Sequence, residues 1–108
     1  MDIRNDLPAA IRTYLDRDAD DALGAFSPDA VVIDDGHTYQ GTAEVSRFLA
    51  KAGSEYTFTT TLVGVERVDD ERWTVTNHLS GDFPGGEVDL RYRFALRGEL
   101  IAELVIAP

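Results

Sequence analysis

Apolar residues recur every four positions near the start of the chain. Leu7, Ile11 and Leu15 form one stripe, and Tyr14 lies beside it. Apolar residues at this spacing share one side of a helix, so the pattern predicts a first amphipathic helix. We expect this helix to end at the polar residues 16–18.

Two further helices are predicted in the first half of the chain. A short second helix ends at Pro28, because proline has no N–H to continue the hydrogen-bond pattern. A third helix begins at Gly41 and ends at Gly53. The apolar positions that we expect to face inward are Ala22, Leu23 and Phe26 on the second helix and Val45, Phe48, Leu49 and Ala52 on the third.

The rest of the chain shows the two-residue alternation of β-strands. A β-branched run at residues 30–33 predicts a strand, and the dipeptide at 35–36 predicts a turn into a short strand at 38–40. Four longer strands are expected at residues 56–68, 73–83, 88–96 and 100–106. Consecutive strands joined by short turns pair antiparallel. The predicted fold class is therefore α+β: a cone-shaped, curved antiparallel sheet wrapped over three N-terminal helices.

Strand alternation assigns the side chains to two faces of this sheet. On the strand at 73–83, one face is apolar except for Asn77, and the other carries threonines and His78. We expect the apolar face to cover the helices and to leave an apolar pocket at the mouth of the cone, suited to a small hydrophobic organic ligand. The residues that we expect to be largely buried are Val32, Phe48, Leu49, Phe58, Leu62, Val75, Leu90 and Phe94. Asp34 shares its face with Val32, so its carboxylate would point into the cone.

Composition and charge narrow the classes of function. A length of 108 residues suits one domain, 1–108. The net charge of −10 would repel nucleic acid and anionic membrane surfaces. Disulfides, zinc–thiolate sites and thiol catalysis are excluded because the chain has no cysteine. No apolar run is long enough to cross a bilayer and the first residues lack a signal-peptide pattern, so we expect a cytoplasmic protein.

Neither a metal site nor a cofactor site is predicted. The two histidines, His37 and His78, lie far apart on differently facing elements, so they do not form a metal-ligand pattern. The glycines at 81, 85 and 86 flank a turn between strands and open no helix, so they match no phosphate-binding loop.

Several segments resemble the SnoaL-like branch of the nuclear transport factor 2-like superfamily. They are residues 14–18, 22–34, 41–49, 81–85, 90–94 and 98–101, and together they span nearly the whole chain. The resemblance implies the α+β roll of that superfamily, which includes steroid isomerases, polyketide cyclases, dehydratases, epoxide hydrolases and proteins with no catalysis. Because members commonly dimerise back to back, it also implies a homodimer through the outer sheet face.

Similarity to the ketosteroid isomerases gives Asp34 a specific role. It matches their general-base aspartate, at the end of the first strand. Their oxyanion-stabilising tyrosine falls on Ala10 and their second aspartate on Leu90, while the neighbouring Asp89 has the wrong strand parity. One of the three catalytic positions is kept, which argues against steroid isomerisation by that set of residues.

The candidate catalytic residues are Asp34, His37 and Tyr14. Asp34 would abstract a proton next to a carbonyl, His37 would orient it or carry the proton, and the Tyr14 hydroxyl would stabilise an oxyanion. Each also has a purely structural interpretation: a turn residue, an exposed loop histidine and a core tyrosine. The expected ligand-binding residues are Asn77, Glu103, Phe48, Phe58, Trp73, Leu90 and Tyr92.

Two hypotheses for the function stay open at this point. The first is a small-molecule-binding protein that acts as a cofactor-independent isomerase, cyclase or lyase, with Asp34 as the general base. The second is a non-catalytic ligand-binding or dimerisation module of the same fold. The retained Asp34 favours the first, and the two lost isomerase positions favour the second.

Overall fold

Three helices and six strands make up the described part of the protein, which in this computed structural model comprises residues 7–16, 19–34, 36–52, 58–81 and 85–108. The helices are α1 (Ala9–Asp16), α2 (Ala19–Gly24) and α3 (Gly41–Ala52). The strands are β1 (Phe26–Asp34), β2 (His37–Gln40), β3 (Phe58–Arg67), β4 (Arg72–Gly81), β5 (Glu87–Arg97) and β6 (Leu100–Ala107). Among the described residues, no helix combines the length and the apolar character needed to cross a lipid bilayer.

The six strands form one curved, unclosed sheet in the order β2-β1-β6-β5-β4-β3. The strands from β3 to β6 pair antiparallel in chain order, as does the β1–β2 hairpin. One parallel pair joins β1 to β6 and places the last strand in the middle of the sheet. The α+β prediction is confirmed, and this parallel pairing is the feature that the turn-by-turn interpretation of the sequence did not contain.

Glycine conformations shape the β1–β2 hairpin and its junction with α3. Gly36 has a φ of 78° in the hairpin turn and Gly41 a φ of 83° where β2 passes into the helix, a region that other residues rarely occupy. Glu44, in the first turn of α3, accepts a hydrogen bond from the backbone N–H of Gln40 at 2.9 Å. This contact satisfies a backbone donor next to the start of the helix and fixes the direction of α3.

The second helix ends earlier than the sequence pattern predicted. It stops at Gly24, and Phe26 is the first residue of β1, so its inward side chain belongs to the sheet. Pro28 lies within β1, where the pairing with β6 is irregular between Phe26 and Val31. Proline is tolerated at such an irregularity because no ladder hydrogen bond is required of its nitrogen. The prediction that Pro28 terminates a helix was therefore wrong.

The hydrophobic core lies between the helices and one face of the sheet, which we call the inner face. Of the core residues that the sequence predicted, Val32, Phe48, Leu49, Val75 and Phe94 are buried, whereas Leu62 and Leu90 are half-buried. The Phe58 side chain, also predicted to be core, lies outside the described part of the structure. Residues of α1, including Ile11 and Tyr14, complete the core from the other side.

The opposite side of the sheet, which we call the outer face, carries most of the polar side chains. On β4, Val75, Asn77 and Leu79 are buried on the inner face, while Thr74, Thr76, His78 and Ser80 alternate with them and remain half-exposed. On β5, Tyr92 and Phe94 face inward and Arg91 and Arg93 outward. The predicted assignment of the two faces of β4 is confirmed.

Candidate functional site

Asp34 is the last residue of β1 and is half-buried. The residues that share its side of the strand, Ala30 and Val32, are fully buried. Its position therefore continues the inner face to the end of β1, as predicted.

A row of inner-face residues runs across the sheet from Asp34. Register pairs Asp34 with Ile106 on β6, Ile106 with Tyr92 on β5, and Tyr92 with Val75 on β4. Neighbouring strands are about 4.8 Å apart, so the Cα atoms of Asp34 and Tyr92 are separated by roughly 10 Å across Ile106. Tyr92 is buried, which makes this row an aromatic and aliphatic surface that ends in a carboxylate.

Helix α1 brings Tyr14 to the same region. Its side chain is 1% exposed, and its ring packs edge-on against Phe26 and Phe94 at 5.8 and 5.7 Å between centroids. The ring of Tyr92 lies 6.3 Å away. Tyr14 is therefore a core residue whose ring adjoins the Asp34 row, so both of its predicted interpretations, core packing and a hydroxyl in the cone, remain compatible with its place.

His37 lies directly opposite Asp34 in the β1–β2 hairpin. Residues opposite one another in an antiparallel pair have Cβ atoms about 5 Å apart and project to the same face. The imidazole is exposed to solvent, whereas Asp34 is half-buried. The hairpin thus brings the two predicted residues together, with the histidine on the solvent side of the carboxylate.

The predicted ligand-binding residues on β4 and β5 occupy the inner face. Asn77 is only 4% exposed and pairs with the half-buried Leu90, one row further along the strands than Tyr92. Trp73 is half-buried opposite Phe94, and its buried indole Nε1–H has no hydrogen-bond acceptor within the described chain.

Phe48 is buried and its ring packs against Tyr39 at 5.3 Å. Tyr39 was not predicted as part of the site, although its register opposite Val32 places it on the inner face. The signal available in the sequence was the alternation of the short strand β2, with Tyr39 on the same parity as His37. The side chain of Phe58, a further predicted ligand contact, lies outside the described residues.

Glu103 requires a correction. It was predicted to line the ligand site, but it is exposed on the outer face, opposite Ala95. The cause is a bulge in β6: Leu96 pairs with Ile101 and Ala95 with Glu103, so Ala102 has no partner and the alternation shifts by one residue.

A charged cluster on the outer face was not predicted. The His78 ring contacts Asp89 through Nδ1 at 2.6 Å and Glu87 through Nε2 at 3.3 Å. The Asp89 carboxylate, followed by that of Glu87, raises the pKa of His78 above its usual value. The sequence signal for this charged cluster was the i, i+2 spacing of Glu87 and Asp89 on the strand next to β4.

A second charged cluster ties the start of β1 to the end of β5. Arg97 donates a hydrogen bond to Asp29 at 2.9 Å, and the Ser27 hydroxyl donates to the other carboxylate oxygen at 3.0 Å. The Arg97 hydrogen bond, more than that of Ser27, lowers the pKa of Asp29. Within the residues that the structure describes, no three histidine, aspartate or glutamate side chains are arranged to hold a metal ion.

Comparison with known proteins identifies relatives along nearly the whole chain. A family model described as the SnoaL-like domain matches residues 9–104. A candidate polyketide cyclase from Sinorhizobium meliloti is 33% identical, with a TM-score of 0.87, over 95% of this chain and 97% of that one. No match was found among curated proteins.

Two more distant structures share the fold. A Mycobacterium tuberculosis protein in complex with estradiol-17β-hemisuccinate is 18% identical, with a TM-score of 0.71, over 93% of this chain and 88% of that one. A Catenulispora acidiphila protein with a ketosteroid isomerase-like fold, in complex with trimethylamine, is 17% identical, with a TM-score of 0.78, over 94% of this chain and 85% of that one.

Proposed function

The chain belongs to the SnoaL-like domain family, and from this membership we propose that it binds a small, mainly apolar organic molecule on the inner face of its sheet. The similarity to a candidate polyketide cyclase and to a protein that binds an estradiol ester supports a ligand of polycyclic type. The inner face carries the buried ring of Tyr92 and the half-buried Trp73, whose buried N–H has no acceptor in the described chain. Such a surface with a few polar groups is typical of small-molecule sites.

We propose further that Asp34 acts as a general base in a cofactor-independent isomerase, cyclase or lyase type of reaction. Its carboxylate would take a proton from a carbon next to a carbonyl, and the electron pair of that C–H bond would form an enolate. Tyr14 or Asn77 would donate a hydrogen bond to the enolate oxygen. His37, on the solvent side, would carry the proton to and from Asp34.

One observation carries this proposal: a half-buried carboxylate ends the strand whose inward residues are fully buried, in register with Ile106 and Tyr92. A carboxylate next to apolar side chains is partly desolvated, which makes it a better proton acceptor than one in water.

A non-catalytic ligand-binding or dimerisation module is the second candidate, and a specific observation favours it. Ala10 and Leu90 stand where the isomerases have a tyrosine and an aspartate, and the structure leaves Ala10 buried and Leu90 half-buried. Neither side chain can donate a hydrogen bond to an oxyanion. This module would bind the same class of ligand without exchanging its protons.

Proton exchange into a ketone distinguishes the two candidates without knowledge of the substrate. We would incubate the protein with 2-tetralone in D₂O and follow deuterium incorporation next to the carbonyl by NMR. A general base predicts exchange that Asp34→Asn reduces at least about 100-fold. Glu103→Gln, on the outer face, is the matched control and should leave exchange unchanged.

The outcome against catalysis is equally clear. Stabilisation of the protein by 2-tetralone in a thermal melt, with no exchange above the buffer rate, supports the non-catalytic module. Neither stabilisation nor exchange with 2-tetralone, estradiol-17β-hemisuccinate or a panel of polycyclic ketones contradicts the ligand-binding proposal itself.

We also propose that the protein forms a homodimer through the outer faces of β3 and β4. Val63 on β3 is 53% exposed, and half-exposed threonines cover the outer face of β4. A stable twofold interface of ordinary size would bury about 1,600 Å² in total. A monomeric mass in light scattering at micromolar concentration would contradict this assembly, and a dimer that Val63→Asp dissociates would support it.

A further inference from the structure

A groove of about 520 Å³ lies over the outer face of β3, β4 and β5. Its lining residues are Gly64, Val65, Glu66, Thr74, Thr76, Arg91 and Arg93. The pairing of β3 with β4 shifts between Leu62 and Gly64, so β3 bends at this point. Gly64 lies opposite Thr76 and has no side chain, which keeps the groove open there.

Two arginines in the groove have no charged partner among the residues that the structure describes. Arg91 and Arg93 are two residues apart on β5, exposed, and on the same face of the sheet. Within the described chain, neither lies within 4 Å of a carboxylate, whereas Arg67, Arg72 and Arg97 each form an ion pair. Two neighbouring guanidinium groups on one face, without a carboxylate partner in the described chain, concentrate positive charge locally in a protein with 20 acidic and 10 basic residues.

Threonine hydroxyls stand beside both guanidinium groups. Register places Thr76 opposite Arg91 and Thr74 opposite Arg93, and neither hydroxyl has a hydrogen-bond partner among the residues described. A guanidinium group binds carboxylate or phosphate through two parallel N–H donors, and a neighbouring hydroxyl adds a third donor. The four side chains together therefore form a surface of donors facing one space.

We propose that this groove binds the oxyanion end of a small molecule, a carboxylate or a phosphate group, between Arg91 and Arg93. The volume lies within the range of ordinary ligand sites. Glu66 belongs to the same row as Thr74 and Arg93 but on the far strand, β3, roughly 10 Å from β5. Its carboxylate repels an anion from the β3 side, so the anion would lie against β5.

This site is independent of the inner face and compatible with the proposed dimer. Solvated arginines need no counter-charge, but the same groups covered by a second copy would be costly without one. A bound oxyanion supplies that charge, so anion binding and association of the outer faces would favour each other.

The test is an NMR titration of the arginine Nε–Hε resonances of the full chain with inorganic phosphate and, separately, with benzoate. Ionic strength is held constant because simple screening also moves arginine signals. We expect saturable shifts of the Arg91 and Arg93 resonances. In Arg93→Gln, the anion affinity reported by the Arg91 resonance should fall at least about tenfold. Arg47→Gln, an exposed arginine of α3, is the control and should not change them.

Each result has a defined meaning. Saturation by phosphate but not benzoate, or the reverse, supports the site and identifies its anion class. Shifts that do not saturate, or that Arg47 shows equally, overturn the proposal. So does an anion-free dimer in which the resonances of Arg91 and Arg93 show pairing with the partner's carboxylates. Circular dichroism of Arg93→Gln confirms that the variant is folded.

Discussion

On β4, neighbouring residues of one backbone lie in opposite environments: Val75 and Asn77 are buried on the inner face, while Thr74 and Thr76 remain half-exposed on the outer face. The same division continues on β5, where Tyr92 and Phe94 face inward and Arg91 and Arg93 face outward. The inner face forms part of the hydrophobic core and also holds the proposed ligand site. The outer face carries charged and hydroxyl groups that contribute little to the core. We therefore expect substitutions on the inner face to reduce the stability of the protein more than substitutions on the outer face.

Truncation of an inner-face aromatic should have the largest effect. Phe94→Ala removes a ring that is 2% exposed and packs against Tyr14, so we expect a loss of about 3–5 kcal/mol in the free energy of unfolding. Thr74→Ala, on the outer face of the neighbouring strand, should cost less than about 0.5 kcal/mol. Urea denaturation measures both, and equal costs would remove the distinction between the faces.

The sequence predicts the two faces where the pattern is local, but not where residues far apart along the chain pair with one another. Alternation within β4 and the helical stripe of α1 are local patterns, so the sequence identified the inner residues Val32, Val75 and Phe94. The parallel β1–β6 pair joins residues about 70 positions apart, and no local pattern specifies it. It nevertheless decides that Asp34 lies next to Ile106 and is separated from Tyr92 by the one strand β6.

A bulge in β6 accounts for the site residue that was predicted wrongly. Glu103 was expected in the site because it matches a pocket-lining position of the isomerases. The alternation of β6 is interrupted at Ala102, which has no partner, so the side chains that follow lie on the opposite face from the one that uninterrupted alternation would give. Glu103 therefore moved from the expected inner position to the outer face. The sequence around it, apolar on both sides, offers no parity signal to reveal the shift.

A smaller effect should follow from removing one hydroxyl on the inner side. Tyr14→Phe keeps the ring contacts with Phe26 and Phe94, so we expect the fold to be retained. If the hydroxyl binds the ligand or the enolate, affinity for 2-tetralone or the exchange rate should fall about tenfold, equivalent to about 1.4 kcal/mol. Calorimetry and the deuterium assay measure these, and unchanged values would limit Tyr14 to core packing.

On the outer face, the effects should depend on pH. His78 has a pKa raised by Asp89 first and Glu87 second, so its stabilising contribution is complete below the unfolded value of about 6.5 and is lost as pH rises through the folded value. The thermal midpoint of wild type should therefore exceed that of His78→Gln most near pH 6. This difference should disappear in alkaline buffer. A difference that grows with pH would contradict the assignment.

The Asp29 cluster should show the opposite pH dependence, with the smallest effect. The pKa of Asp29 is lowered chiefly by the Arg97 hydrogen bond. The cluster therefore stabilises the fold at a pH above the pKa of Asp29 in the unfolded chain, and this stabilisation is lost as the pH falls through its pKa in the folded protein. Arg97→Gln should raise the pKa of Asp29 in a carboxyl ¹³C titration. The same value in wild type and variant would contradict this cause, and Arg47→Gln is the neutral control.

The central claim is that the ligand binds on the inner face, and methyl NMR tests it directly because neighbouring residues report on opposite faces. Val32, Leu104 and Ile106 lie on the inner face, and Val31, Ile33 and Val105 on the outer one. On titration with 2-tetralone, we predict saturable shifts of the inner methyl groups, and only small changes at the outer methyl groups. Shifts confined to Val31, Ile33 and Val105 would contradict the claim.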